Sequence, residues 1–340
     1  MISISETVPN ATTRWITLSG GVGGAKFAAG MNTLAASGEH DILINTADDF
    51  NHLGLRICPD LDSVTYALAG LNDRNRGWGR SEESWNCMAT LKEIGAESWF
   101  SLGDKDLGLH LFRSHQLSQG ESLYQITRKI STSLGVTSRL IPMSESAVKT
   151  IVSTDCGELD FQDYFVRHQC RPTVRSVRYS GIETAKLHDI ALSSLQSPQL
   201  EAVFIAPSNP FLSIDPILNL PAVRSMIKAL EVPVVAISPL VGGRALKGPL
   251  DKMLSSMGRP INHQAIADHY AGLIDCLIID SADISESRSI DIPTHTTQTI
   301  MNCRKDERSL AEQAIVVAKK LKSNLSSRRP APRVTGSDQL

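Results

Sequence analysis

The stretch NTADDFNHLGLRICPDLD carries Asn45, Asp48, Asp49, Asp60 and Asp62 within eighteen residues. Carboxylates this close repel one another and any phosphate brought near them. Their gathering makes sense around a hard cation. Asp60 has a simpler reading, because it follows Pro59 and can cap the helix that begins there. Asp48, Asp49 and Asp62 remain as candidates for holding metal or substrate.

A second stretch, TLSGGVGGAKF, precedes this one. Its glycines Gly20, Gly21, Gly23 and Gly24 would let backbone N–H groups approach phosphate oxygens at a helix N-terminus, with Lys26 adding a point charge. It matches neither standard pattern. The dinucleotide fingerprint fails because Lys26 stands where the third glycine belongs, and the P-loop fails because Phe27 replaces the hydroxyl residue.

Further along, Pro207 and Pro210 bracket Ser208 and Asn209, a turn able to read a nucleobase or phosphate or merely to hold itself together. Gly242 and Gly243 lie just before Arg244 and Lys247 and read as another glycine-plus-cation loop. His110 and Arg113, three apart, share a helix face. Trp78, Trp85 and Trp99 fall in one region and would suit a flat aromatic ligand, or simply a core.

The elements that must position these groups alternate. Nearly continuous apolar runs at 14–20, 40–47, 200–208, 232–240 and 273–281, and a further strand at 297–302, read as strands covered on both faces. Helical patterns at 24–37, 221–230, 248–257, 263–271 and 307–322 lie between them. The fold class expected is α/β: a doubly wound, Rossmann-like parallel sheet with an inserted helical subdomain. Ligands in such sheets bind beyond the carboxyl ends of the strands, where the motifs above lie. The core is expected at 14–60 and 140–322 and the helical insert at 61–139, near an acceptor site. Period-two alternation over 139–182 predicts a small antiparallel sheet, and 1–13 and 324–340 read as flexible tails.

A formal net charge of -2 argues against a general nucleic-acid binder. The six cysteines form no C-x-x-C pair, which suits a reducing cytoplasm. No apolar run is long enough for a membrane span, and no signal peptide is read.

Taken in order, LSGGVGGAK, NTADDF, PDLDSVTYALAG, GWG, SWFSLGDKDLGLHLFR, IPMSES, ELDFQDYFVR, APSNPFLSIDPIL and SPLVGGRALKGPLDKM resemble the 2-phospho-L-lactate transferase family (CofD, called FbiA in actinobacteria), from about residue 14 to about 320. The resemblance implies synthesis of the deazaflavin coenzyme F420. A phosphorylated three-carbon acid passes from a guanosine diphosphate conjugate to the terminal ribityl hydroxyl of Fo. GMP leaves and Mg²⁺ is required. It further implies a homodimer, and a partner guanylyltransferase that supplies the donor.

On this resemblance the glycine loop holds the diphosphate, and Ser208, Asn209, Gly242 and Gly243 help hold the guanosine half. Asp62 contacts the deazaflavin. Ser101 stands where the family usually has Arg or Lys before Leu-Gly-Asp, so Lys105 or Arg113 would have to compensate. The proton acceptor is Asp62 or Asp49. Phospholactate, phosphoenolpyruvate and phosphoglycerate differ by a few atoms, and no residue decides among them. Two alternatives stay open: an NAD(P)-dependent oxidoreductase using Asp48 as its ribose acid, and a non-enzymatic regulator of the same fold that binds nucleotide sugars.

Overall fold

The computed structural model describes residues 13–327. Seven parallel strands form the main sheet: β1 (Trp15–Ser19), β2 (His40–Ile44), β5 (Arg139–Pro142), β9 (Ala202–Ile205), β10 (Val234–Ile237), β13 (Cys276–Asp280) and β14 (Thr294–Thr297). Their spatial order is β14-β13-β10-β9-β1-β2-β5, so the winding reverses between β1 and β9. Reversal leaves a crevice beyond the carboxyl ends of those two strands.

Side chains alternate across the sheet, as the pleat requires. Ile16, Leu18, Val203, Ile205, Val234 and Leu277 face one core. Trp15, Phe204, Val235 and Ile278 face the opposite one, where they meet Phe27 and Met31 of α1 (Gly21–Asn32) and Leu310 and Ala314 of α11 (Arg304–Ser327). A third core joins α1 to Leu61 and Val64 of α2 (Pro59–Ala69).

The segment after α2 is helical: α3 (Asn86–Glu93), α4 (Asp104–Ser118) and α5 (Leu123–Ser133). Ser122 and Gln125 close a reciprocal capping box at the start of α5. Met88, Leu102 and Leu107 build a small core of their own with Ile57. That isoleucine belongs to a hairpin, β3 (Phe50–His52) and β4 (Leu55–Ile57), which turns through Leu53 and Gly54 at φ 50° and 79°. A second sheet, antiparallel as expected, joins β6 (Lys149–Thr154), β7 (Gly157–Asp160) and β8 (Val174–Ser180).

Several boundaries differ from expectation. Helix α1 starts at Gly21, so Gly21, Gly23 and Gly24 lie in its first turn and Gly20 is its N-cap. The last sheet strand runs Thr294–Thr297 and ends where 297–302 was expected to begin, because Asp280 takes the Thr299 N–H and hydroxyl at 2.7 and 3.0 Å. Residues Arg139–Pro142 leave the antiparallel segment and pair with β2 in parallel. Of the expected tails, 1–12 and 328–340 lie outside the described residues. Thr13 is buried and donates to Asp41 at 2.8 Å, and α11 continues to Ser327. Among the described residues no helix is long and apolar enough to cross a membrane.

The remaining helices are α6 (Asp189–Leu195), α7 (Asp215–Leu218), α8 (Val223–Lys228), α9 (Leu250–Ser256) and α10 (His263–His269). Strands β11 (Leu240–Val241) and β12 (Arg244–Ala245) make a short hairpin after β10.

Candidate active site

Strand β2 delivers the chain into a run of buried polar residues. Asn45 is fully buried and acts as their hub. Its amide nitrogen lies 3.1 Å from Asp48 Oδ2, 2.9 Å from Asp60 Oδ2 and 3.2 Å from the Leu212 carbonyl, and its oxygen accepts from the Ala47 N–H at 2.9 Å. Asp60 does not cap its own helix. Its Oδ1 accepts the Gly21 N–H at 2.7 Å, so it caps α1 instead, thirty-nine residues back. The glycine turn, Asp60, Asn45 and Asp48 therefore form one connected network.

That network opens into a cavity of about 310 Å³. Asp48 and Asp49 line it. The β3–β4 hairpin contributes Phe50, His52 and Arg56, and the α3–α4 connection contributes Trp99. Lys149, Thr150, Asp160 and Arg167 close the far side. The aromatic wall is continuous: Phe50 and His52 lie 6.0 and 5.3 Å from Trp99, and the Arg167 guanidinium sits 4.6 Å over the Trp99 ring. The rings meet tilted or edge to face, at 34° between Phe50 and Trp99 and 71° between His52 and Trp99.

Burial dominates the electrostatics here. It raises Asp49 to about 7, against the pull of Arg56, whose Nη2 lies 3.3 Å from Asp49 Oδ2. It raises Asp48 well above the carboxylate range, and the neighbouring Asp60 adds to the shift. Asp60 itself is raised to about 6 by burial, against its bonds from Asn45 and the Gly21 N–H. Asp48 Oδ1 and Asp49 Oδ1 are buried with no donor in good hydrogen-bond geometry, although the Thr150 hydroxyl beside Asp48 and the Cys58 thiol beside Asp49 each pull the carboxyl's pKa down against burial. Unpartnered buried carboxylate oxygens are costly unless a proton or a cation reaches them. Two such atoms fit a hard cation at one carboxylate and a proton at the other.

The structure separates the other expected site residues into three groups. Asp62 is buried in an ion pair with Arg113, which engages both of its oxygens, one of them at 3.1 Å. His110 stands beside it, with Nδ1 3.7 Å away. Asp62 does not line the cavity. In this structure Asp62 is held in a charge pair that ties α2 to α4. His110 and Arg113 do share a face, and that face carries this pair.

Gly23 and Gly24 serve close packing. A Cβ on Gly23 would stand 2.4 Å from the Pro207 carbonyl oxygen, and one on Gly24 would stand 2.4 Å from Ser208 Oγ. Gly20 is pressed against Asp60 and Ser213 in the same way. Ser208 Oγ donates to the Gly20 carbonyl at 2.7 Å, and Asn209 Oδ1 accepts from the Phe211 and Leu212 N–H groups at 3.0 and 3.2 Å. The Ser208–Asn209 turn thus spends these polar atoms on holding the crevice together.

Lys26 turns from the glycine turn and donates to the Met301 carbonyl at 2.7 Å. Burial lowers its pKa, and the charge of Lys247 lowers it further. Lys247 packs its ammonium against Gly77, so the two lysines meet beside the 72–79 loop. Trp78 and Trp85 lie there too, with Arg76 between them at 4.9 and 4.8 Å.

Gly242 and Gly243, expected in a glycine-plus-cation loop, lie in a tight hairpin. They are the two-residue turn of the β11–β12 hairpin at φ 60° and 70°, which only glycine adopts freely, and the Gly242 N–H donates to Asp283 at 2.9 Å. Ser101 is exposed and lies off the cavity. Arg56, His52, Thr150 and Arg167 line the cavity without any expectation from sequence. The signal available for the first two was HLGL, a short alternating stretch around a glycine turn.

Known proteins can be set beside this geometry. The family model described as "2-phospho-L-lactate transferase CofD" matches residues 16–321. The chain is 36% identical over 310 residues to a phosphoenolpyruvate transferase of Kitasatospora aureofaciens, covering 88% of this chain and 95% of that protein. It is 32% identical over 305 residues to a 2-phospho-L-lactate transferase of Methanococcoides burtonii, covering 89% and 98%. A crystal structure of a UPF0052 family member from Bacillus halodurans superposes with a TM-score of 0.59 at 17% identity, over 89% of this chain and 98% of that one. At that identity the likeness concerns the fold.

Proposed function

The chain belongs to the CofD 2-phospho-L-lactate transferase family, and we propose that it transfers a phosphorylated three-carbon acid from a guanosine diphosphate conjugate to the ribityl hydroxyl of Fo, releasing GMP. The observation that carries this reading is the cavity itself. Two buried carboxylates, Asp48 and Asp49, line it together with aromatic and cationic side chains. Relatives with this chain's sequence pattern are named for phosphoenolpyruvate and for 2-phospho-L-lactate, so the proposed acid is the class that contains both.

In this reading Asp49 is the base. A carboxyl raised to about 7 by burial can take a proton near neutral pH and hold it. The Fo oxygen attacks the phosphorus bearing the acid, and its proton passes to the Asp49 carboxylate. The new P–O bond forms as the phosphoanhydride bond to GMP breaks. Asp48, with Oδ1 unpartnered, is the residue that would hold Mg²⁺. When bound, Mg²⁺ supplies positive charge against the developing charge on the diphosphate. Trp99 and Phe50 stack on the deazaflavin, and Arg56 and Arg167 offer cations to the acid. Lys26 and Lys247, which meet beside α1, are the cations for the nucleotide half.

Transfer should stop in excess EDTA and return with Mg²⁺. Full activity in EDTA would remove the metal from the mechanism. A fluorescence change of NADH on mixing would instead favour an oxidoreductase.

A further inference from the structure

Away from the cavity, a second set of ligating side chains lies beyond the carboxyl ends of β10 and β13. His263 opens α10 and is fully buried. Asp283, also buried, follows β13, and Glu286 lies three residues further on. One ligand atom from each of the three falls within 4.8 Å of the others.

The geometry between His263 and Asp283 is informative. Nε2 lies 3.0 Å from Asp283 Oδ2, yet it makes no hydrogen bond. A shared proton must lie close to the line between donor and acceptor. A metal ion lies off that line, since neighbouring ligands converge on it at an angle. For bonds of about 2.0–2.2 Å at roughly 90–109°, adjacent ligand atoms stand about 3 Å apart. The observed separation is that of one edge of a coordination polyhedron.

The surroundings agree. Ser238 Oγ sits 2.8 Å from His263 Nδ1 and can accept its proton, which leaves Nε2 with a free lone pair aimed off the line to Asp283 Oδ2. Metal-bound histidines are held in one tautomer by such a partner. Asp283 is itself oriented by the Gly242 N–H, and the Glu286 carboxylate lies 3.4 Å from the His263 backbone nitrogen. A neutral imidazole with two carboxylates cancels a divalent charge. Imidazole selects first-row transition metals over Mg²⁺.

We infer that His263, Asp283 and Glu286 bind one transition-metal ion of the Zn²⁺ or Mn²⁺ class, at a site separate from the transfer cavity. The ion fastens α10 to the strand ends and, through Asp283, to the Gly242 hairpin. This inference does not depend on the proposed reaction.

The test uses full-length protein stripped of metal, titrated calorimetrically with Zn²⁺ in the presence of excess Mg²⁺. The expected result is one Zn²⁺ per chain. Glu286 is only half-buried, so Glu286→Gln should fold as wild type while losing affinity at least about tenfold, the scale on which even supporting partners act. His263→Gln should abolish the site. Exposed Cys87, Cys156 and Cys303 are rival ligands, so Co²⁺ is the second probe. Its spectrum should show ligand-field bands without thiolate charge transfer. No Zn²⁺ binding, equal affinity in wild type and a folded Glu286→Gln, or a thiolate spectrum would each overturn the inference.

Discussion

Replacing Asp49 by asparagine should remove most of the transfer and, above neutral pH, stabilise the fold. Both effects follow from one group. Asp49 is raised from 3.8 to about 7 by burial. At about 1.36 kcal/mol per unit this corresponds to a cost on the order of 4 kcal/mol once the carboxyl is ionised. The sign is that of a raised acid. Below pH ~4 both folded and unfolded chains hold the proton and there is no cost. Between pH ~4 and ~7 the unfolded chain ionises first, and stability falls with rising pH. Above pH ~7 the full cost is present. Asparagine mimics the protonated form at every pH. In EDTA at pH 8 the variant should therefore melt roughly 5 °C above wild type, and near pH 4 the two should coincide. Turnover should fall by roughly 10²–10⁴-fold, the scale for a positioned base. The wild-type kcat should also rise with pH along a limb at or below about 7, since a bound cation favours the ionised carboxyl. A variant that melts below wild type at pH 8, or turns over within a few-fold of it, would refute the assignment.

Other substitutions discriminate between packing and chemistry. Asp62→Asn leaves the Arg113 guanidinium buried without its counter-charge, so urea unfolding should show a loss of about 3–5 kcal/mol; a loss under about 1 kcal/mol would return Asp62 to the list of chemical groups. Gly23→Val drives a side chain into the Pro207 carbonyl, and circular dichroism should show a protein that is unfolded or melts far lower; a variant with wild-type melting contradicts the packing argument. Trp99→Ala should raise KM for Fo by about 2- to 10-fold with kcat nearly unchanged, the worth of one aromatic contact; an unaltered KM would place the ring elsewhere.

The sheet was largely legible because its inner strands are short apolar runs between turn residues, as in TLSG and VVAISP. RLIP at Arg139–Pro142 was not, since four residues at a sheet edge carry little pattern and their partner β2 lies about a hundred residues away. The three-residue strands of the Phe50–Ile57 hairpin are shorter still. In the site, composition pointed to the aspartates but could not divide their roles. Asp60 turns to Gly21, Asp62 to Arg113, and Asp48 and Asp49 to the cavity, each through contacts set by tertiary packing. The glycines illustrate the same limit. A run of small residues after a strand marks close approach, but whether to a phosphate or to Pro207 depends on what the fold brings there.

The central claim is best tested by mass spectrometry of the product. Purified protein would be incubated with Fo, GTP, Mg²⁺, a guanylyltransferase and, in separate reactions, 2-phospholactate, phosphoenolpyruvate or 3-phosphoglycerate. The account predicts that at least one acid yields Fo extended by that phosphorylated acid, with GMP released in equal amount, and that the Asp49→Asn protein yields almost none. Unmodified Fo in every reaction, with the guanosine diphosphate conjugate present and the protein folded, would contradict it.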